Sequence, residues 1–145
     1  MPFIFCLINS KVIVHCRNIN CYFKFCHTQS PVCDQPLGLE SYRIPDSAVT
    51  ASSFLNIHNE PENARLHFQM KCCPVRYGSW TAKGAFYRDD SWWQVDFGSW
   101  TKVTAVATQG RHQTLWWVER YRLSYSYDGL FFKDYMEGGS YPKVL

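Results

Sequence analysis

Apolar and polar residues alternate along Ser91-Trp92-Trp93-Gln94-Val95-Asp96-Phe97-Gly98. Trp93, Val95 and Phe97 share one face, and Trp92, Gln94 and Asp96 share the other, which is the period of a half-buried strand. The run Val103-Thr104-Ala105-Val106-Ala107-Thr108 carries small or β-branched residues on both faces and reads as an inner strand. The cleanest alternation sets Tyr121, Leu123, Tyr125 and Tyr127 against Arg120, Arg122, Ser124 and Ser126. Asp128-Gly129 then predicts a hairpin turn, with Leu130-Phe131-Phe132-Lys133-Asp134-Tyr135 as the returning strand. Upstream the signals are shorter. Val49-Thr50-Ala51-Ser52-Ser53 is a strand candidate, Ile44-Pro45-Asp46 a turn, and Gly78-Ser79-Trp80-Thr81 opens another short element. Many short strands with no sustained helical period predict an all-β sandwich or barrel.

Residues 1–32 break this pattern. Cys6, Cys16, Cys21 and Cys26 crowd there with His15 and His27, and Cys33 follows directly. Cys16, Cys21 and Cys26 plus a histidine offer four zinc ligands, but the spacing is wide and lacks a paired knuckle, so no metal is assigned. The segment is expected to be an irregular, cysteine-bearing extension, with the domain proper covering 33–145. Its apolar start, Met1 to Ile8, lacks a basic leading region and is cut short by Asn9-Ser10-Lys11, so it matches a secretion signal poorly. Cys72 and Cys73 are adjacent, a spacing at which two cysteines seldom bridge each other.

Composition narrows the function classes. A chain of 145 residues, 46% hydrophobic and 17% aromatic, has ample material for one core. A net charge of +3 is too small to suggest nucleic acid, yet it suits an anionic membrane surface or acidic glycans. No apolar run approaches the ~20 residues of a membrane helix. There is no Gly-x-Ser-x-Gly, His-Glu-x-x-His, phosphate loop or dinucleotide fingerprint, and Asp89-Asp90 reads as a solvated pair. The expectation is a non-catalytic protein without a cofactor.

Several motifs together resemble one family. They are Cys33-x2-Pro36-Leu37-Gly38-Leu39-Glu40-Ser41, Val49-Thr50-Ala51-Ser52-Ser53, Asn63-Ala64-Arg65-Leu66 and Gly78-Ser79-Trp80-Thr81-Ala82. Trp93-Gln94-Val95-Asp96-Phe97-Gly98, the run from Val103 to Gly110, and Tyr121-x-Leu123-x-Tyr125-Ser126-x-Asp128-Gly129 complete the set. In this order and spacing they are similar to the discoidin, or coagulation factor V/VIII type C, domain. The resemblance covers Cys33 to about Lys143. It implies an eight-stranded jelly-roll sandwich of the galactose-binding-like fold that binds through loops at one end. It also implies that the family's final strands, with the cysteine that usually bridges to the counterpart of Cys33, lie beyond this sequence. On that reading inner strands are left as open edges, the chain is unstable alone, and Cys33 is a free thiol or is captured by the N-terminal cysteines.

The resemblance places residues 53–60, 83–91 and 110–116 at one end. The candidate binding residues there are Phe54, Leu55, Ile57, Lys83, Phe86, Tyr87, Arg88, Arg111, His112, Leu115 and Trp116. Apolar tips beside cations fit anionic lipid headgroups as a peripheral contact, with no membrane span. Aromatics beside Arg, His and Asn equally fit a cell-surface glycan. An extracellular protein is a third partner class, the module then serving adhesion in a receptor ectodomain or matrix protein. The expected location is extracellular. Strand parity assigns Trp117 to the core with Tyr121, Leu123, Tyr125 and Tyr127, and leaves Trp116 for the ligand. Asp96 is expected to hold a turn.

Overall fold

The computed structural model describes residues 3–17, 24–27, 35–84, 91–118, 120–137 and 141–142; at 3–17, 24–27, 35, 104, 105, 137, 141 and 142 it describes the backbone. The strands are β1 (Phe3–Arg17), β2 (Lys24–His27), β3 (Gln35–Pro36), β4 (Val49–Ala51), β5 (Trp92–Ala107), β6 (Arg120–Ser126), β7 (Lys133–Asp134), β8 (Met136–Glu137) and β9 (Tyr141–Pro142). Two single turns of 3-10 helix, Asp46–Ala48 and Pro61–Ala64, are the helical pieces among the described residues. The fold is all-β, as the alternation predicts.

Seven of these strands form one sheet in the order β3-β2-β5-β1-β6-β7, with β4 on β5, while β8 and β9 pair separately. The two runs read as separate strands are one long strand, β5. Its halves meet at Gly98, where φ is 68° and Asp96 Oδ1 accepts the Gly98 N–H at 2.8 Å. Asp96 thus holds a turn, as expected of a short acceptor side chain beside a left-handed glycine.

The reading of residues 1–32 as irregular is corrected for the backbone of β1 and β2. β1 lies between β5 and β6, antiparallel to both, pairing Val12 with Val95 and Val14 with Leu123. Its sequence is rich in the β-branched and aromatic residues that suit a strand. Neither β5 nor β6 presents the open edge expected on that side. Cys21 and Cys33 lie outside the described residues, as do the side chains of Cys6, Cys16 and Cys26, so the disulfide expectation for Cys33 does too. Cys72 and Cys73 are exposed free thiols.

The core follows the predicted phase. Trp93, Val95, Val103 and Val106 of β5 and Tyr121 and Leu123 of β6 are buried. What covers them is largely irregular chain: Leu39, Ile44, Ala64, Trp80 and Ala82 pack into the same cluster. The indole of Trp93 donates to the Pro61 carbonyl at 2.9 Å, so burying its N–H leaves no unmet donor.

Beyond β6 the hairpin turn is held by Asp128. Its Oδ1 accepts the N–H groups of Leu130 (2.8 Å) and Phe131 (3.0 Å) and the Ser126 hydroxyl (2.9 Å). The backbone donors at Phe131 and Leu130, and then Ser126, hold its carboxyl at about 2, below the ordinary 3.8. A depressed value means that the carboxylate's stabilising effect is full above the ordinary value and is lost as pH falls through about 2. In an acid titration the Leu130 and Phe131 amide signals are expected to move with a midpoint near 2. Asp128→Asn should abolish that dependence, and a wild-type midpoint near 4 would contradict it.

Candidate functional site

Residues 75–83 connect the candidate loops. Their start is fixed by Arg76, whose backbone exchanges hydrogen bonds with Lys71 at 2.9 and 3.0 Å. Its guanidinium donates to Asn63 Oδ1 at 2.9 Å and to Glu62 Oε1 at 3.3 Å. Burial pushes the Glu62 carboxyl up, with the Glu60 charge adding to the effect and Arg76 opposing it. From there the segment is stitched to loop 53–60. Tyr77 N–H donates to the His58 carbonyl (2.8 Å), Leu55 N–H to the Thr81 carbonyl (2.8 Å), and the Trp80 indole to the Ser53 carbonyl (2.8 Å). Asn59 Nδ2 reaches Thr81 Oγ1 at 3.1 Å, and Lys83 N–H reaches Ser53 Oγ at 3.1 Å. Trp80 is fully buried and therefore anchors the exposed loop beside it.

Loop 110–116 joins through side chains. It closes on itself with Arg111 N–H donating to the Trp116 carbonyl at 2.8 Å and Gln113 in the left-handed region at φ 57°. The Arg111 guanidinium lies 4.3 Å from the centre of the Tyr77 ring and 5.1 Å from that of Trp116. The His58 ring packs edge-on to Tyr77 at 5.7 Å, and its Nδ1 donates to the Val75 carbonyl at 2.6 Å. His58, Tyr77, Arg111 and Trp116 thus form a chain of contacts that ties the first loop to the third. A guanidinium held between two rings is a positioned cation, because each ring face attracts it and limits its rotamers.

The predicted residues fall into three groups. Phe54, Leu55, Ile57, Leu115 and Trp116 project apolar surface into solvent, led by Leu115 at 85% and Ile57 at 68% exposed, and Lys83 is exposed beside them. Arg111 and His112 are half-buried; the His112 Nδ1 is buried without a hydrogen-bond partner among the described residues. A Cβ at Gly78 would meet the His112 Cβ at 3.2 Å, so His112 packs under the loop. Phe86, Tyr87 and Arg88 lie outside the described residues.

The assignment of Trp117 to the core is corrected: it is 54% exposed. β6 begins at Arg120, so alternation measured from Tyr121 does not extend back to Trp117. Parity fails at the other end as well, where Tyr127 is exposed and stacks at 5.1 Å on exposed Trp100. The sequence reading missed His58 and Tyr77. Neither belongs to a periodic element, and what unites them is a long-range contact of both backbone and rings.

The site offers apolar tips and a clamped cation. Among the described residues no three His, Cys, Asp or Glu side chains gather as a metal site requires, and no helix is long and apolar enough to cross a membrane.

The profile of the F5/8 type C domain family matches residues 48–144. The chain is 31% identical to pig lactadherin over 137 residues, covering 89% of this chain and 32% of that protein. It is 38% identical to mouse coagulation factor V over 114 residues, covering 74% of this chain and 5% of that protein. It is 39% identical to human coagulation factor VIII over 111 residues, covering 70% of this chain and 4% of that protein. The chain therefore spans a third or less of the length of these relatives. No solved structure matches it.

Proposed function

The chain belongs to the F5/8 type C domain family, and on that premise we propose that it is a non-catalytic extracellular recognition module whose loops 53–60 and 110–116 meet an anionic phospholipid surface. The observation that carries this reading is the pairing of Leu115, 85% exposed, with the Arg111 cation clamped between Tyr77 and Trp116. A leucine so exposed is unfavourable in water, and burying it in the interface gains about 1.5–3 kcal/mol. Arg111 in the same loop supplies the cation for a headgroup, where each such charge contributes about 1 kcal/mol. Ile57 and Leu55 on the neighbouring loop add apolar surface, and Lys83 adds charge. Family membership supports a binding role and an extracellular setting, as it supports the absence of a catalytic one.

Sedimentation with vesicles tests the reading. The chain is expected to bind vesicles containing phosphatidylserine and to ignore pure phosphatidylcholine. Trp116→Ala should weaken binding about tenfold, as expected for an aromatic at the centre of a contact. Arg111→Ala should cost most at low salt and progressively less as ions screen the headgroups. Equal binding to neutral vesicles would overturn the proposal. So would an Arg111→Ala loss that does not change with salt, which points to hydrogen bonding with a neutral sugar.

A further inference from the structure

The end of the sheet opposite the loop tips carries a second exposed apolar patch. β1 relates the two ends: His15 pairs with Trp92 and with Arg122, and Lys11 pairs with Asp96 and with Ser126. Loop 53–60 begins beside Trp92, whose carbonyl accepts the Ser52 N–H at 2.9 Å, and loop 110–116 leads into β6 at Arg120. The Gly98 turn and the Asp128 turn therefore lie together at the far end of β6, a strand of 7 residues. At about 3.3 Å per residue the two ends stand roughly 20 Å apart. The two turns meet through their aromatics. Trp100 stacks on Tyr127 at 5.1 Å with the ring planes 30° apart, and Tyr125 meets Tyr127 edge-on at 6.2 Å. Leu130 and Phe131 follow in the turn that Asp128 closes, which fixes their backbone while leaving their side chains in solvent. Trp100 is 69% exposed, Leu130 79% and Phe131 77%, and Tyr127 is half-exposed.

The area and the charges select the occupant. At the usual sizes of such side chains, these four leave about 500 Å² of apolar surface in water. That is close to the largest patch a monomer ordinarily shows, and such patches mark contact sites. Two copies meeting there remove about 1,000 Å² in total, the size from which a specific interface holds. The rim is self-complementary. Asp128 brings an exposed carboxylate, and Lys133 is exposed on β7. Lys133 pairs with Tyr125 across β6 and β7, so it shares the face of Tyr125 beside the patch. A two-fold axis sets residue i of one copy on residue j of the other and j on i, so one carboxylate and one ammonium per copy give two reciprocal ion pairs. A lipid surface fits less well, because the Asp128 carboxylate would face anionic headgroups. We propose that Trp100, Tyr127, Leu130 and Phe131 form the interface of a reversible two-fold dimer of this chain, independent of the lipid reading of the loops.

The test is sedimentation equilibrium of the full chain from about 1 µM to about 1 mM, under reducing conditions that keep Cys72 and Cys73 from cross-linking copies. The average mass is expected to climb from that of one chain to that of two and to stop there. An interface of this size implies a dissociation constant on the order of 100 µM. Phe131→Glu and Trp100→Ser alter exposed side chains, so the melting temperature should hold while the dissociation constant rises at least about tenfold. Lys133→Glu sets like charges against Asp128 of the other copy and should weaken the dimer several-fold, most at low salt. Trp116→Ala, at the opposite end, should dimerise as the parent does. The mass of one chain at every concentration would overturn the proposal, as would a mass that rises past two copies without a plateau. An unchanged dissociation constant in both Phe131→Glu and Trp100→Ser would overturn it too. So would failure of Phe131→Glu to sediment with phosphatidylserine vesicles at about 1 µM, where the parent is a monomer, since the patch would then be a lipid contact.

Discussion

Replacing Arg65 by methionine is expected to lower stability by about 3 kcal/mol, chiefly the cost of leaving the buried Leu39 carbonyl without its donor. The substitution keeps an unbranched, apolar stem and removes the guanidinium with its charge. Three consequences add. The Leu39 carbonyl loses its buried donor, Asp46 loses its partner, and the Tyr42 ring loses the guanidinium it covers. Asp46 is half-exposed and regains water, which keeps the cost from rising further. In a chain of this size the melting temperature should fall by roughly 10 °C. Chemical unfolding that shows a loss under 1 kcal/mol would mean that methionine packs there as well as the ion pair does, and that Arg65 is not the anchor of residues 39–46.

The largest functional effect is expected from Leu115→Asp. Leu115 is the most exposed of the large apolar side chains at the loop tips. The substitution removes about 2 kcal/mol of apolar transfer and sets an anion against anionic headgroups, a further ~1 kcal/mol. Vesicle affinity should fall about a hundredfold while the unfolding midpoint stays put, since the side chain touches little of the fold. A loss below about threefold would place the lipid contact elsewhere on the surface. Trp117→Ala is a useful companion: with its ring 54% exposed it should leave stability nearly unchanged, contrary to the expectation from parity.

The sequence spoke clearly where a residue's fate depends on its own strand. Trp93, Val95, Leu123 and Tyr121 are buried as alternation predicts, because a pleated strand sends neighbours to opposite faces. The signal ended where the strand ended. Trp117 and Tyr127 share the parity of Tyr121 but lie beyond β6, and backbone that is not pleated carries no phase. The exposed tips Leu115, Ile57 and Leu55 were legible through the resemblance, which identified the loops. The clamp on Arg111 was not, since Tyr77 comes from a segment more than thirty residues earlier, roughly, and no local rule links them. The same holds for the backbone of Tyr42. A left-handed tyrosine, at φ 62°, leaves no mark in composition or periodicity, and the buried Arg65 packed on its ring reads in sequence as an ordinary surface cation.

The place of β1 governs the order in which this protein can be assembled. β1 leaves the ribosome well before its neighbours β5 and β6, which follow it by roughly eighty to a hundred residues. Until Leu123 has been synthesised, Val14 has no final partner on that side. Pairing between such distant segments pays the loop-closure entropy before it gains any contact, so the sheet closes in one late step, on the millisecond-to-second scale of all-β topologies. During translation β1 waits with both hydrogen-bonding edges open, and that interval is when a holding chaperone has most to protect.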